Sequence, residues 1–228
     1  MPVGWHSGRA IWTVPLAAVA AVVVLYPFLY VVFAGPWAPF EEPRYVQLFE
    51  VVPIICGIAG LYGITSRLAW VEGQSPRVMS WRALLAASGV VLGAALLPVF
   101  VRRLWGLSPF YLRFLPAGRD WLTPDLLDVE LPFEVFLTFG LNIAACLGLA
   151  CLTTRFVGPL LGPATAMVWF LGLLVAQGYG RLPILVRVDD VLPTASPGDL
   201  ALTGLIVASG VIVWALPGSQ VSPRATQG

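Results

Sequence analysis

Six apolar blocks, each 17 to 24 residues long, run through this chain at 11–34, 46–68, 83–101, 131–152, 157–176 and 200–216. An α-helix needs about 20 consecutive apolar residues to cross the hydrocarbon core of a bilayer, so these are spanning lengths. The blocks are apolar on every face, whereas a membrane barrel needs segments of roughly ten residues that alternate apolar and polar. Strands are therefore not expected. With 58% hydrophobic and 11% charged residues, against about 25% charged in a soluble domain, the composition excludes a soluble catalytic domain. The fold class expected is an all-α integral membrane protein, a polytopic bundle of six transmembrane helices forming a single domain over 1–228. The connecting segments 35–45, 71–82, 102–130, 153–156 and 177–199 are each too short to be a further domain.

The first block carries Pro15 and Pro27 near its two ends, which predicts a kinked helix. It is too long for a signal-peptide core and lacks a small-residue cleavage site, so it reads as a retained span. Arg102 and Arg103 close the third block and would anchor it in the headgroups. A short polar turn around Arg155 predicts that spans four and five form an antiparallel hairpin. Orientation is weakly marked: with the N-terminus inside, six arginines face in and seven face out. Most acids fall on the outer side, and both termini are assigned to the cytoplasm of a multi-pass plasma-membrane protein.

All thirteen basic residues are arginine, so neither a Schiff-base lysine nor the phosphate-binding lysine of a Walker A loop resides here. His6 is the only histidine, which excludes paired-histidine metal and haem sites. Net charge is +1, with no basic excess for nucleic acid. Cys56, Cys146 and Cys151 lie in apolar stretches and read as packing residues. The acid pairs Glu41–Glu42 and Asp189–Asp190 read as solvated loop residues. No catalytic, cofactor or metal site is expected in this chain.

Three polar residues inside spans are the sharper candidates. Glu50 and Glu134 each lie about one turn inside their blocks, where an ionisable group is costly and becomes a functional candidate. They could face one another or pair with Arg44, Arg102 or Arg103, or sit at the interface as structural ion pairs. Asn142, mid-span, reads as interhelical glue. Gly89 and Gly93, Gly158 and Gly162, and the trio Gly57, Gly60 and Gly63 have spacings that permit close helix approach. The 71–82 segment, with Glu72, Arg77 and Arg82, predicts a brief amphipathic helix able to fit a groove on a partner. The 102–130 segment, with Trp105, Phe110, Tyr111, Phe114 and Trp121, reads as an interfacial lid or aromatic belt.

Six spans in about 230 residues with an acid-and-arginine connector between spans two and three resemble the membrane subunits of ABC-2-type ABC transporters. The short permease-like subunits of high-GC actinobacteria are the nearest likeness, and the all-arginine, alanine-rich composition fits such a host. The stretch Leu141 to Leu152 with Asn142, and the Pro193 to Leu202 run with Pro197 and Asp199, are similar to the family's fourth span and its approach to span six. The resemblance implies that 70–82 is a coupling helix for an ATPase, with Trp70, Glu72, Arg77, Trp81 and Arg82 as coupling residues. It implies a second permease subunit, identical or homologous, with ATP and Mg on the partner ATPase, and export of an amphiphilic substrate such as a peptide, lipid or antibiotic. The chain departs from the family in its short segment before span one and its long segment before span four. A non-transport scaffold or accessory subunit therefore stays open, as does an intramembrane enzyme using Glu50 or Glu134.

Overall fold

The computed structural model describes residues 10–28, 32–34, 45–65, 76–107, 133–178 and 195–216. Helix α1 (Thr13–Phe28) is an apolar 16-residue helix that ends one residue after Pro27, whose ring removes a backbone donor. The first block predicts helix as far as Ala34, and here the structure differs. Val32–Ala34 is strand β1, paired antiparallel with β2 (Tyr45–Gln47) in the register Val32↔Gln47, Phe33↔Val46 and Ala34↔Tyr45. A three-residue strand is specified by a partner some ten residues away in sequence, not by its own apolar character, so block reading runs straight through it.

Helix α2 (Leu48–Ile64, 17 residues) follows β2 without a loop, starting two residues inside the predicted block. Helix α3 (Pro76–Leu107) has 32 residues and exceeds the predicted 83–101 at both ends. Proline at its first position is already shaped for a helix start, so the segment 76–82 continues into the span and does not form a separate short helix.

Helix α4 (Phe133–Val157) runs through the expected polar turn at 153–156. The reason is local: Thr153 Oγ1 donates to the carbonyls of Leu149 (3.0 Å) and Ala150 (3.1 Å), and Thr154 Oγ1 to Ala150 (2.7 Å), so both hydroxyls are absorbed by the helix they were expected to end. The break comes at Gly158, whose φ of 85° lies in the left-handed region, followed by Pro159. Helix α5 (Thr165–Gly178, 14 residues) therefore starts eight residues later than the predicted block. Helix α6 (Pro197–Ala215) starts three residues earlier than predicted. Ser196 Oγ accepts from Asp199 N (3.2 Å), and the Asp199 carboxylate accepts from Ser196 N (2.8 Å), closing a capping box.

The described residues are mostly helical, and three of the six described helices are long and apolar enough to cross a membrane: Trp81–Leu104 within α3, Val135–Val157 within α4, and α6. Helices α1, α2 and α5 are apolar but shorter.

Glycines set the packing. An added Cβ on Gly57 would strike Leu147 of α4, one on Gly60 would meet Val90 of α3 at 2.8 Å, and one on Gly63 would strike Thr13 of α1. Three glycines on α2 thus admit three different helices, as the close spacing suggested. Gly140 of α4 stands against the Ala95 carbonyl of α3, and Gly210 of α6 lies directly on Gly148 of α4. Together with the grouping of Leu25, Phe49, Val101 and Phe136 at the other end, these contacts fix direction: α1, α2, α3 and α4 alternate, and α2 and α4 run the same way. Buried side chains fall into two groups, a larger one around Ile54, Leu61, Val91, Ile143, Leu147 and Trp214, and a smaller one around Leu25, Phe49, Leu97, Val101, Phe136 and Phe139.

Candidate functional site

The coupling segment and the intramembrane polar residues occupy different parts of the bundle. Of the coupling residues, Trp70 and Glu72 lie outside the described residues. Arg77 is in the first turn of α3, and Trp81 and Arg82 are one turn further on the same helix, both exposed. Ala83, the next residue, is buried, so the helix enters the bundle there. Arg77, Trp81 and Arg82 are thus carried on a continuous helix, with no hinge between them and the span.

Glu50 and Glu134 both fall in the first turn of their helices, α2 and α4. Those two helix starts share one end of the bundle. The Phe49 ring packs at 5.0 Å from both Phe136 and Phe139, tilted by 44° on the first and edge-on at 70° to the second. At the same end the Arg103 guanidinium lies over the Phe133 ring, 5.2 Å from its centroid, a cation–π contact that gives this arginine a partner besides the expected carboxylates. Glu50 is only 1% exposed, and its Oε2 accepts from Gln47 N (3.3 Å), tying the β2–α2 junction. A carboxylate in the first turn also meets the positive end of the helix dipole, worth about 0.3–1 kcal/mol. The same logic places Asp199 in the first turn of α6 and Arg155 in the last turn of α4. An acid one turn inside an apolar block thus has a helix-terminal explanation that the block alone does not reveal.

Asn142 is buried, yet its Oδ1 has no hydrogen-bond partner among the described residues, so the expected role as interhelical glue is not realised through that atom. Sequence reading passed over its counterpart Thr203, buried on α6 with Oγ1 likewise unpartnered among the described residues. Thr203 shares the inward face of α6 with Val207, Gly210 and Trp214, and in sequence it is set apart only as one of two hydroxyl residues, with Ser209, in the apolar stretch 200–216.

Of the remaining glycine pairs, Gly158 and Gly162 form part of a turn and not a helix-packing face. Gly162 is pressed against Thr154. Gly89 and Gly93 do lie on α3, but an added Cβ at either would meet nothing within 4 Å. Also missed was a set of hydroxyl ties around the α4–α5 turn: Tyr62 Oη donates to the Leu160 carbonyl (2.5 Å), and the Thr153 and Thr165 hydroxyls are hydrogen-bonded at 2.5 Å. No family model matches the chain, and no curated protein or solved structure matches it.

Proposed function

We propose that this chain is a six-span permease subunit of an ATP-driven transporter, and that the start of α3 couples it to a separate ATPase. The observation that carries the reading is the continuity of α3. At 1.5 Å per residue its 32 residues extend about 48 Å, well beyond a hydrocarbon core of about 30 Å. A helix that carries Arg77, Trp81 and Arg82 on the same rod as a membrane span converts a push at its start into movement of the span. Hydrolysis belongs to the partner, because a chain without lysine has no Walker A lysine. ATP and Mg are accordingly held there, and a second permease subunit, identical or homologous, completes the pathway for an amphiphilic cargo such as a peptide, lipid or antibiotic. The chain sits in the plasma membrane with both termini in the cytoplasm, and the Arg82 end of α3 faces the ATPase.

Affinity purification of the tagged chain in mild detergent, with mass spectrometry of bound proteins, tests this. A near-stoichiometric partner bearing a Walker A sequence supports it, and in that complex Arg82→Ala should leave the protein folded while uncoupling hydrolysis from transport. Recovery of the chain alone, or with membrane proteins only, overturns it. The second outcome would favour a scaffold or accessory subunit, a reading supported by Gly89 and Gly93 on an open face of α3 suited to another membrane helix.

A further inference from the structure

The link between α4 and α5 is unlike an ordinary surface turn. Phe156 (81% exposed) and Leu160 (76%) are the most exposed large apolar side chains among the described residues, and Leu161 and Val157 are exposed beside them. In water such a cluster would be a liability.

The backbone of the same turn is closed on itself in part, and the N–H groups of Leu160, Leu161 and Ala164 have no backbone partner among the described residues. Gly158 N donates to Thr154 O (2.9 Å), Gly162 N to Gly158 O (2.8 Å), Thr165 N to Gly162 O (3.0 Å) and Ala166 N to Pro163 O (3.2 Å). Thr165 Oγ1 shares its one proton between Gly162 O (2.6 Å) and Thr153 Oγ1, and Tyr62 Oη reaches across from α2 to Leu160 O. Pro159 and Pro163 have no N–H to satisfy. Unpaired backbone donors are not tolerated in the hydrocarbon layer, so the free N–H groups of Leu160, Leu161 and Ala164 place the backbone of the turn at headgroup level.

Its position agrees. Gly162 rests against Thr154, so the turn folds back beside the last turn of α4 instead of projecting from it. Trp12 at the start of α1 and Trp81 and Arg82 near the start of α3 come to this same end, because Gly63 meets Thr13 and Gly60 meets Val90. Exposed tryptophan and arginine together mark a membrane interface.

We propose that the 158–164 turn lies in the interfacial layer of one leaflet, with the side chains of Phe156, Val157, Leu160 and Leu161 reaching in among the acyl chains. The partner is lipid, because the side chains from Phe156 to Leu161 are all apolar and the exposed Arg155 beside them is the residue type that anchors at headgroups. The inference rests on the chain being embedded in a membrane and is independent of transport.

The test is nitroxide accessibility in full-length protein reconstituted into phosphatidylcholine–phosphatidylglycerol vesicles. Labels go on Leu161→Cys, on Leu205→Cys in the exposed middle of α6, and on Ser196→Cys at its exposed cap, with the signal of the unsubstituted protein subtracted. The expected result is that position 161, like 205, is several-fold more accessible to oxygen and less accessible to a water-soluble nickel chelate than position 196. If position 161 matches 196 while 205 stays in lipid, the interfacial turn is overturned and a water-facing docking surface replaces it. If 205 is also open to nickel, the membrane reading itself fails and the proposal falls with it.

Discussion

The two ends of the bundle are held by different means. At the Phe49 end, three aromatic rings, a short β-ribbon and charges placed at helix termini do the joining. At the Thr154 end, glycines and hydroxyls do it: Gly63 on Thr13, Gly162 on Thr154, Thr153 on Thr165, and Tyr62 on the Leu160 carbonyl. Between them lie Pro53 of α2 and Pro98 of α3, both buried and at nearly the same height, since Gly60 opposite Val90 puts residue 53 opposite residue 97. Each proline removes one helical hydrogen bond and frees a carbonyl, that of Phe49 and that of Ala94. The division between the two buried groups falls near these prolines, with Val46 and Val51 joining the larger group from the Phe49 side and Cys56 packing on the smaller. In lipid, where apolar contact alone gives helices little reason to associate, close backbone approach and specific contacts set the strength of each end. The glycine-fastened part is therefore the more rigid body, and the Phe49 end the more separable one.

The largest effect is expected where backbone meets backbone. At Gly210 any side chain would enter the space of the Gly148 carbonyl, with the Gly148 carbonyl carbon 2.9 Å from the added atom. Gly210→Leu should destabilise by about 3 kcal/mol or more, read as a lowered Tm in detergent and loss of monodisperse protein. An unchanged Tm would mean that α4 and α6 are not in contact at this point, and would remove the rigid half of the comparison.

Phe136→Ala comes next. Phe136 is fully buried against Phe49. The loss should be about 2 kcal/mol, below the usual cost of a core Phe→Ala change in water, because lipid reduces the transfer contribution and leaves mainly packing. The sharper readout is regional hydrogen exchange. Amides at 48–52, 97–103 and 133–139 should lose protection while those at 143–154 keep theirs. Loss of protection throughout would show one cooperative core and break the division at Pro53 and Pro98.

These contacts also show what block reading can and cannot see. Apolar length located α3, α4 and α6, because a long helix buried in apolar surroundings needs nothing beyond its own composition. It misplaced the α4–α5 break because Thr153 and Thr154 look polar in sequence but spend their hydroxyls on carbonyls one turn back. It missed β1 because a strand of three residues exists only through its partner. The glycine spacings were legible, but their use was not. Gly57, Gly60 and Gly63 pack as the pattern suggests, Gly158 and Gly162 serve a turn, and the decisive pairing of Gly148 with Gly210 joins two separate helices and leaves no local signature. Glu50 stands out in the sequence as an acid one turn inside an apolar block. Its tie to Gln47 depends on where α2 begins, which an apolar block fixes only to within a turn.

Glu50→Gln gives a smaller effect, about 0.5–1 kcal/mol, since the amide keeps an acceptor for Gln47 N but removes the charge at the helix start. Transport or partner-dependent activity, once assayed, should remain near that of the unsubstituted protein. A severe loss of activity at unchanged Tm would return Glu50 to a role in binding or proton transfer and would make the Phe49 end the functional one.

Gly93→Leu should have the smallest effect, and it is the direct counterpart of Gly210→Leu. Both glycines sit within apolar spanning helices, and both would be read from sequence as packing positions. Around Gly93 nothing lies within 4 Å of an added Cβ, so no clash opposes the substitution. Leucine is also the better helix former by somewhat less than 1 kcal/mol, although a membrane context weakens that preference. The Tm of the purified chain should stay level or rise slightly. If Tm is unchanged in detergent but copurification of a membrane partner is lost, the open face of α3 is a contact made only in the assembled complex. The contrast between the two glycines then separates packing that builds the subunit from packing that joins it to others, a distinction that depends on what stands opposite each residue and not on its spacing.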